Sequence, residues 1–283
     1  MARIVGVHGI GQQVKGEHTL ESVWLPALRD GMTRAGATPL PDGLLSCAFY
    51  GDLFRPAGTK AIGIPPLSHA DLRDEWETAL VQAIWEEAGR VDSSVPGPEA
   101  ATKLRAPNVI QRAVWALCNS PFWGGVEKLL VFSLKQVRAY LHDDALRQRV
   151  RERVEAAMSD DTEVLIGHSL GSVVAYECLC ANPDWPVTTF ISLGSPLGIP
   201  NLVFDRLQPP PANGKGKWPG NVRRWINIAD RGDLVALEKR LAPLFDSRIE
   251  DLLIHNGAKA HDVEPYLTAE ETGRAIAAAL TER

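Results

Sequence analysis

The sequence predicts an α/β fold, a mostly parallel sheet flanked by helices, with a helical insertion ahead of its third strand. Three observations predict it. Six short β-rich runs, at 3–7, 45–50, 163–166, 187–193, 223–228 and 249–255, are mostly separated by helical patterns, which is the signature of βα units. At Gly167-His168-Ser169-Leu170-Gly171 a serine between glycines joins one of these runs directly to an apolar helix. The chain between the first run and that junction is about twice as long as the intervening βα units need.

Taken in order, Arg3-Ile4-Val5-Gly6-Val7 opens the chain as a strand, and Leu20, Trp24, Leu28 and Met32 then recur every fourth residue, giving a one-sided helix. The second strand ends near Tyr50. From 52 to 142 the chain carries the surplus: Ser68-His69-Ala70-Asp71 reads as a helix start, followed by a stripe of Leu72, Trp76, Leu80 and Ile84, and a second helix is expected from about 126 to 141. Thr162-Glu163-Val164-Leu165-Ile166 is the third strand, and Ser172 to Leu179 opens the buried helix after the serine. A Pro- and Gly-rich run at 209–217 reads as a flexible loop at the amino-terminal edge of the sheet. The last helix is expected to start at Thr268-Ala269-Glu270-Glu271 through a capping box. With no internal repeat, residues 1–283 read as one domain, and the 52–142 insertion leaves the sheet on the face where strands end, as a lid.

Composition narrows the function classes. Of 283 residues, 45% are hydrophobic and 23% charged, ordinary values for a packed core, and the net charge is −5. The absence of a dense basic tract argues against nucleic acid as a partner; the locally basic stretch from Arg147 to Arg153 looks like a solvated helix face. No run is long enough to span a membrane, and Met1-Ala2-Arg3 leads straight into a strand without the apolar region of a signal peptide. Cys47, Cys118, Cys178 and Cys180 show neither paired nor metal-ligand spacing and sit in apolar contexts. These features point to a reduced, cytoplasmic protein without metal or organic cofactor.

A serine on a sharp strand-to-helix turn reads as a nucleophile elbow, because flanking glycines let the chain fold tightly and lift the side chain above the sheet. Ser169 is the nucleophile candidate. A neutral serine needs a base oriented by a carboxylate. In the order serine, acid, histidine, only His255 and His261 of the seven histidines follow. His255 falls at a strand end, whereas His261 lies in a loop able to swing back over Ser169, so His261 is the expected base. Asp233 and Asp230 compete as the acid; Asp233, just past Gly232 and before an apolar anchor, is favoured. The N–H of Leu170 and that of Ile10, in His8-Gly9-Ile10-Gly11, are the candidate donors to a developing oxyanion. His8, Gly9, His168, Ser195 and Trp76 are expected to wall the substrate site, with the His168 side chain facing away from the base position.

Val7-His8-Gly9-Ile10-Gly11, Gly167-His168-Ser169-Leu170-Gly171, Gly194-Ser195-Pro196, Gly232-Asp233-Leu234-Val235-Ala236 and His261 together resemble the α/β-hydrolase superfamily over nearly the whole chain. Within it, the chain is most similar to bacterial lipases and inositol-deacylase-like serine hydrolases. The resemblance implies the same assignments: Ser169 nucleophile, Asp233 acid, His261 base, Ile10 and Leu170 oxyanion donors. The expected activity is hydrolysis of a carboxylic ester, from a small-molecule or lipid-like acyl substrate, through an acyl-enzyme. A thioesterase or acyltransferase would use the same residues, and a catalytically silent binding module on this fold is the rival from another class. The 52–142 segment matches no family pattern.

Overall fold

All six runs form strands of one sheet in the computed structural model, which describes residues 2–55, 65–98, 109–120 and 127–281. They are β1 (Ile4–Val7), β2 (Leu45–Ala48), β3 (Val164–His168), β4 (Thr189–Leu193), β5 (Arg224–Asp230) and β6 (Glu250–Ile254). The order is β2-β1-β3-β4-β5-β6 and every pairing is parallel. The helices are α1 (Glu17–Arg34), α2 (Glu75–Val91), α3 (Val109–Cys118), α4 (Glu127–His142), α5 (Asp144–Glu155), α6 (Leu170–Ala181), α7 (Val263–Leu267) and α8 (Glu270–Thr281).

Strand alternation divides the core into two layers. Ile4, Val164, Ile166, Ile191 and Ile226 face α1 and α8, where Leu20, Trp24, Leu28 and Met32 are buried as their spacing predicts. Val5, Leu165, Phe190 and Trp225 face the other side, against α5 and α6. Apolar side chains on both faces of the inner strands β1, β3, β4 and β5 explain why these runs read as largely hydrophobic segments, whereas edge strand β6 carries Glu250 and an exposed Leu253. With β2 on one side of β1 and β3 on the other, the chain leaves β1 and β3 in opposite directions. That reversal opens a crevice at the carboxyl ends of the two strands.

The insertion is helical and packs as a unit of α2, α3 and α4; of the predicted 52–142 segment, 56–64, 99–108 and 121–126 lie outside the described residues. Helix α3, which the sequence reading did not anticipate, buries Ala113, Val114, Ala116 and Leu117. Helix α4 continues into contact with α5. The insertion shares one apolar cluster with the sheet layer, and a buried polar tie adds to it: Glu177 of α6, fully buried, accepts from Tyr140 of α4 at 2.7 Å and from Arg147 of α5. The Gln208 N–H completes its partners at 3.1 Å.

Arg147 corrects one expectation, since it is 3% exposed and paired rather than part of a solvated face. The capping boxes also differ. Ser68 and Asp71 do cap each other, but around a single 3₁₀ turn, and α2 starts later with Asp74 accepting from the Trp76 N–H at 2.9 Å. At the last helix, Thr268 ends α7, its hydroxyl donating back to the Pro265 carbonyl at 3.2 Å, so it does not cap α8. The 209–217 run is anchored: Ala212 pairs with Lys215, Gly216 is buried against Phe245, and the Tyr176 hydroxyl donates to the Lys217 carbonyl at 2.8 Å. Among the described residues no helix is long and apolar enough to cross a membrane.

Candidate active site

The carboxyl ends of β1, β3, β5 and β6 deliver one loop each to the crevice. Ser169 sits between β3 and α6 with φ 54° and ψ −131°, a conformation a side-chain-bearing residue adopts only under constraint. The constraint is visible in its neighbours. A Cβ on Gly167 would stand 2.5 Å from the Ser172 Cα, and one on Gly171 would stand 2.2 Å from the Val7 carbonyl oxygen. Only glycine at both places lets the turn close this tightly. The Ser169 N–H donates to the Leu193 carbonyl at 2.9 Å, and Ser172 Oγ donates to the Ser169 carbonyl at 2.6 Å, so the backbone of the turn is held on both sides.

His261 arrives on the loop after β6 and stands between Ser169 and Asp233. Its Nε2 lies 3.0 Å from Ser169 Oγ and its Nδ1 2.8 Å from Asp233 Oδ2. Asp233 is fully buried. Burial works to raise its pKa, yet the charge and hydrogen bond of His261 and donors from Tyr266 and Val235 outweigh it, holding the carboxyl at about 2. The Tyr266 hydroxyl donates to Oδ2 at 2.7 Å, and the Val235 N–H donates to Oδ1 at 2.8 Å. Asp230 is occupied elsewhere: its oxygens accept from the Gly232 N–H at 2.6 Å and from the Asn256 N–H, which ties the β5 and β6 loops together. His255 follows β6 as an exposed residue on the edge of the sheet.

His168 lies closer to His261 than the sequence suggests. Its ring centroid is 5.0 Å from that of His261, and its Nε2–H donates to the His261 carbonyl at 2.9 Å. Burial, and then the neighbouring His261, lower its pKa to about 3, so it is a neutral donor that pins the loop. His8 is corrected from site wall to scaffold. It is 3% exposed, its Nδ1–H donates to the Gly9 carbonyl at 2.6 Å, and its Nε2 accepts from the Tyr50 N–H at 3.2 Å. Burial lowers its pKa to about 4, and its ring stacks on Tyr50 at 4.0 Å. Ser195 is also behind the wall, sharing a 2.7 Å hydrogen bond with Ser172 Oγ and accepting from the Leu197 N–H. Trp76 turns its indole N–H to the Leu202 carbonyl at 2.9 Å and packs edge-on to His142, leaving Leu80 and Ile84 of the same stripe to face the site.

Two spaces meet at Ser169 and Ile10. A narrow apolar cavity, part of it open to solvent, runs under the insertion and is walled by Leu80 and Ile84 of α2, Leu134 and Val137 of α4, and Ile199 and Val203. Leu170 borders it too. A more open cleft lies on the other side, bordered by Gly9, Gln12, Lys15, His168, His261 and Glu264. Among the described residues neither the Ile10 nor the Leu170 N–H has a hydrogen-bond partner within the protein. Leu170 opens α6, whose first N–H groups and dipole point toward the site.

Two contributors escaped the sequence reading. Gln136, on α4 and 3% exposed, accepts from the Gly11 N–H through Oε1 at 2.9 Å. Tyr266 both donates to Asp233 and accepts from the Asp230 N–H at 2.8 Å. The only sequence signal for Gln136 is a lone amide in an apolar helix; Tyr266 has none. Among the described residues no group of three or more His, Cys, Asp or Glu side chains could hold a metal ion. A scan against protein-family models matches none to this chain, and a search of curated proteins also finds no match.

Proposed function

We propose that the protein is a serine hydrolase of carboxylic esters in the manner of α/β-hydrolases, with Ser169, His261 and Asp233 as its triad and residues 52–142 as a lid over the site. One observation carries this reading: the His261 imidazole is engaged at both nitrogens, by the Asp233 carboxylate at 2.8 Å and the Ser169 hydroxyl at 3.0 Å. The buried carboxylate fixes Nδ1 as the protonated nitrogen, which leaves the Nε2 lone pair facing the serine. His261 then takes the Ser169 proton as Oγ attacks the ester carbonyl, and Asp233, ionised far below neutral pH, stabilises the imidazolium.

The Ile10 and Leu170 N–H groups would receive the oxyanion, at a helix start that already favours negative charge. Collapse of the tetrahedral intermediate releases the alcohol, and water activated by the same imidazole frees the acid. The lid reading is supported by α2 and α4, which contribute apolar walls to the cavity that Ser169 borders. The test is covalent labelling with a small fluorophosphonate. Wild-type protein should be labelled at Ser169 and lose esterase activity in step, and Ser169→Ala should show neither; no labelling of the wild type would overturn the proposal.

A further inference from the structure

The two spaces at Ser169 differ in chemistry. No charged side chain is among the described residues that border the cavity; its walls are aliphatic apart from the Ser133 and Ser169 hydroxyls. The cleft is bordered by Lys15, Lys259, Asp262 and Glu264, all exposed to water, and by Gln12. An ester bound at Ser169 must send one half into each.

If the hydrolase reading holds, and this inference rests on it, reaction chemistry decides which half goes where. The Ser169 Oγ–carbon bond forms, and His261 holds the proton taken from Oγ. When the carbon–alkoxy bond breaks, that proton must pass from Nε2 to the departing oxygen, so the alcohol leaves on the imidazole's side. Of the two spaces, His261 borders the cleft. The acyl chain extends from the carbonyl carbon the other way, under α2 and α4. Water entering from the cleft gives a proton to His261 as it adds to the acyl carbon; the Ser169 Oγ–carbon bond then breaks, Oγ takes that proton from His261, and the acid departs.

We infer that the preferred substrates are esters of an apolar carboxylic acid with a polar, water-facing alcohol, and that esters whose alcohol half is itself bulky and apolar are disfavoured. A hydroxylated acid would have to bury hydroxyls among Leu80, Ile84, Leu134 and Val137 without partners, which is costly. An apolar alcohol in the cleft stays wet, gaining little from the hydrophobic effect. Lys15 and Lys259 stand with Asp262 and Glu264 around the same cleft, so the charges balance and favour a neutral polyhydroxyl or zwitterionic alcohol over a strongly anionic one.

A pair of isomeric esters tests the inference directly. 1-Octanoylglycerol and octyl glycerate contain the same atoms but exchange the apolar and polar halves across the ester. After correction for their hydroxide-catalysed rates, kcat/KM should favour octanoylglycerol by at least about 10-fold, the least that burying unpaired hydroxyls should cost. Trioctanoylglycerol, whose leaving alcohol is apolar, should be cleaved more slowly than octanoylglycerol. Val137→Trp, which fills the cavity, should collapse the ratio of octanoyl to acetyl glycerol turnover. Equal or reversed rates for the isomers would overturn the partition while leaving the hydrolase reading in place, as would a phosphonylated Ser169 with neither isomer cleaved. Cleavage of neither with Ser169 unlabelled would instead overturn the hydrolase reading itself.

Discussion

Gln136 of α4 and Gly11 of the loop after β1 are joined by a 2.9 Å hydrogen bond across 125 positions of the chain. Gly11 follows the Ile10 N–H directly, so the insertion holds the loop that offers one of the two proposed oxyanion donors. Gln136→Leu keeps the volume and removes the acceptor. It should lower kcat/KM by about 10- to 100-fold, chiefly through kcat, because an oxyanion donor works in the transition state. Affinity for a trifluoromethyl ketone inhibitor should fall in parallel; an unchanged inhibitor affinity would separate Gln136 from the oxyanion loop's function.

Asp233→Asn should reduce kcat by about 10³- to 10⁴-fold, since an amide neither fixes the imidazole tautomer nor stabilises its charge. Asp230→Asn should leave kcat near wild type and show itself in the melting temperature, because Asp230 holds the Gly232 and Asn256 N–H groups. His261→Ala combined with Ser169→Ala should be scarcely worse than either alone, as a triad acts as a unit. Steady-state kinetics with a p-nitrophenyl ester reads all of these.

Tyr266→Phe removes one donor from the Asp233 carboxylate and strands the Asp230 N–H. A hydrogen bond to a charged group contributes about 1.5–3 kcal/mol. Both kcat and the urea midpoint should fall, kcat by roughly 3- to 30-fold if part of that energy is lost from positioning. A variant that loses stability with full activity would show that Asp233 is held well enough without the phenol.

Acid should destabilise the fold in a definite window. His8 and His168 have folded pKa values of about 4 and about 3 against an ordinary 6.5, both from burial first. Between those limits the unfolded chain binds protons the folded chain refuses, so their stabilisation is complete above pH 6.5 and is lost as pH falls toward 4 and 3. Each group contributes a slope approaching about 1.4 kcal/mol per pH unit inside its window. Asp233, depressed to about 2, acts in the same direction lower down, its stabilisation lost from about pH 4 to 2. Urea titrations from pH 7.5 to 4.5 should show falling midpoints, and His168→Gln, which keeps a donor for the His261 carbonyl, should flatten the slope.

Gly171→Ala tests the elbow itself. With the added carbon 2.2 Å from the Val7 carbonyl oxygen, the turn cannot close without moving β1 or α6. Overpacking of this kind costs about 1–3 kcal/mol or more, so thermal unfolding should occur several degrees lower. Fluorophosphonate labelling should slow as well. Unchanged melting would mean the turn has slack that its contacts do not suggest.

The sheet and the Ser169–His261–Asp233 arrangement were legible because their signals are local. Apolar β-branched runs, glycines flanking a serine and a histidine placed in a loop each announce themselves within a few residues. Trp76 was misread because it shares a stripe with Leu80 and Ile84, but its indole N–H needs an acceptor, finds one at Leu202, and carries the ring out of the site. His8 was misread because its place beside Gly9 suggests a wall, whereas the Tyr50 backbone claims its second nitrogen. Arg147 looks like any basic residue of a surface helix until Glu177 is seen opposite. Gln136 and Tyr266 depend on partners far along the chain, and no spacing rule reaches them.

The buried Glu177 has a consequence for how this molecule can be altered by recombination. Its carboxylate takes donors from α4, from α5 and from the segment at Gln208, and it sits on the helix that begins at the elbow serine. A chimera that swapped the insertion for a foreign one would delete Tyr140. Extending the exchange to include α5 would strand a fully buried charge with no cation beside it, a loss of several kcal/mol. Shuffling at the nominal junctions should therefore give misfolded hybrids. Viable hybrids should be those in which Tyr140, Arg147 and Glu177 are inherited together, so the heritable module is larger than the loop that looks inserted.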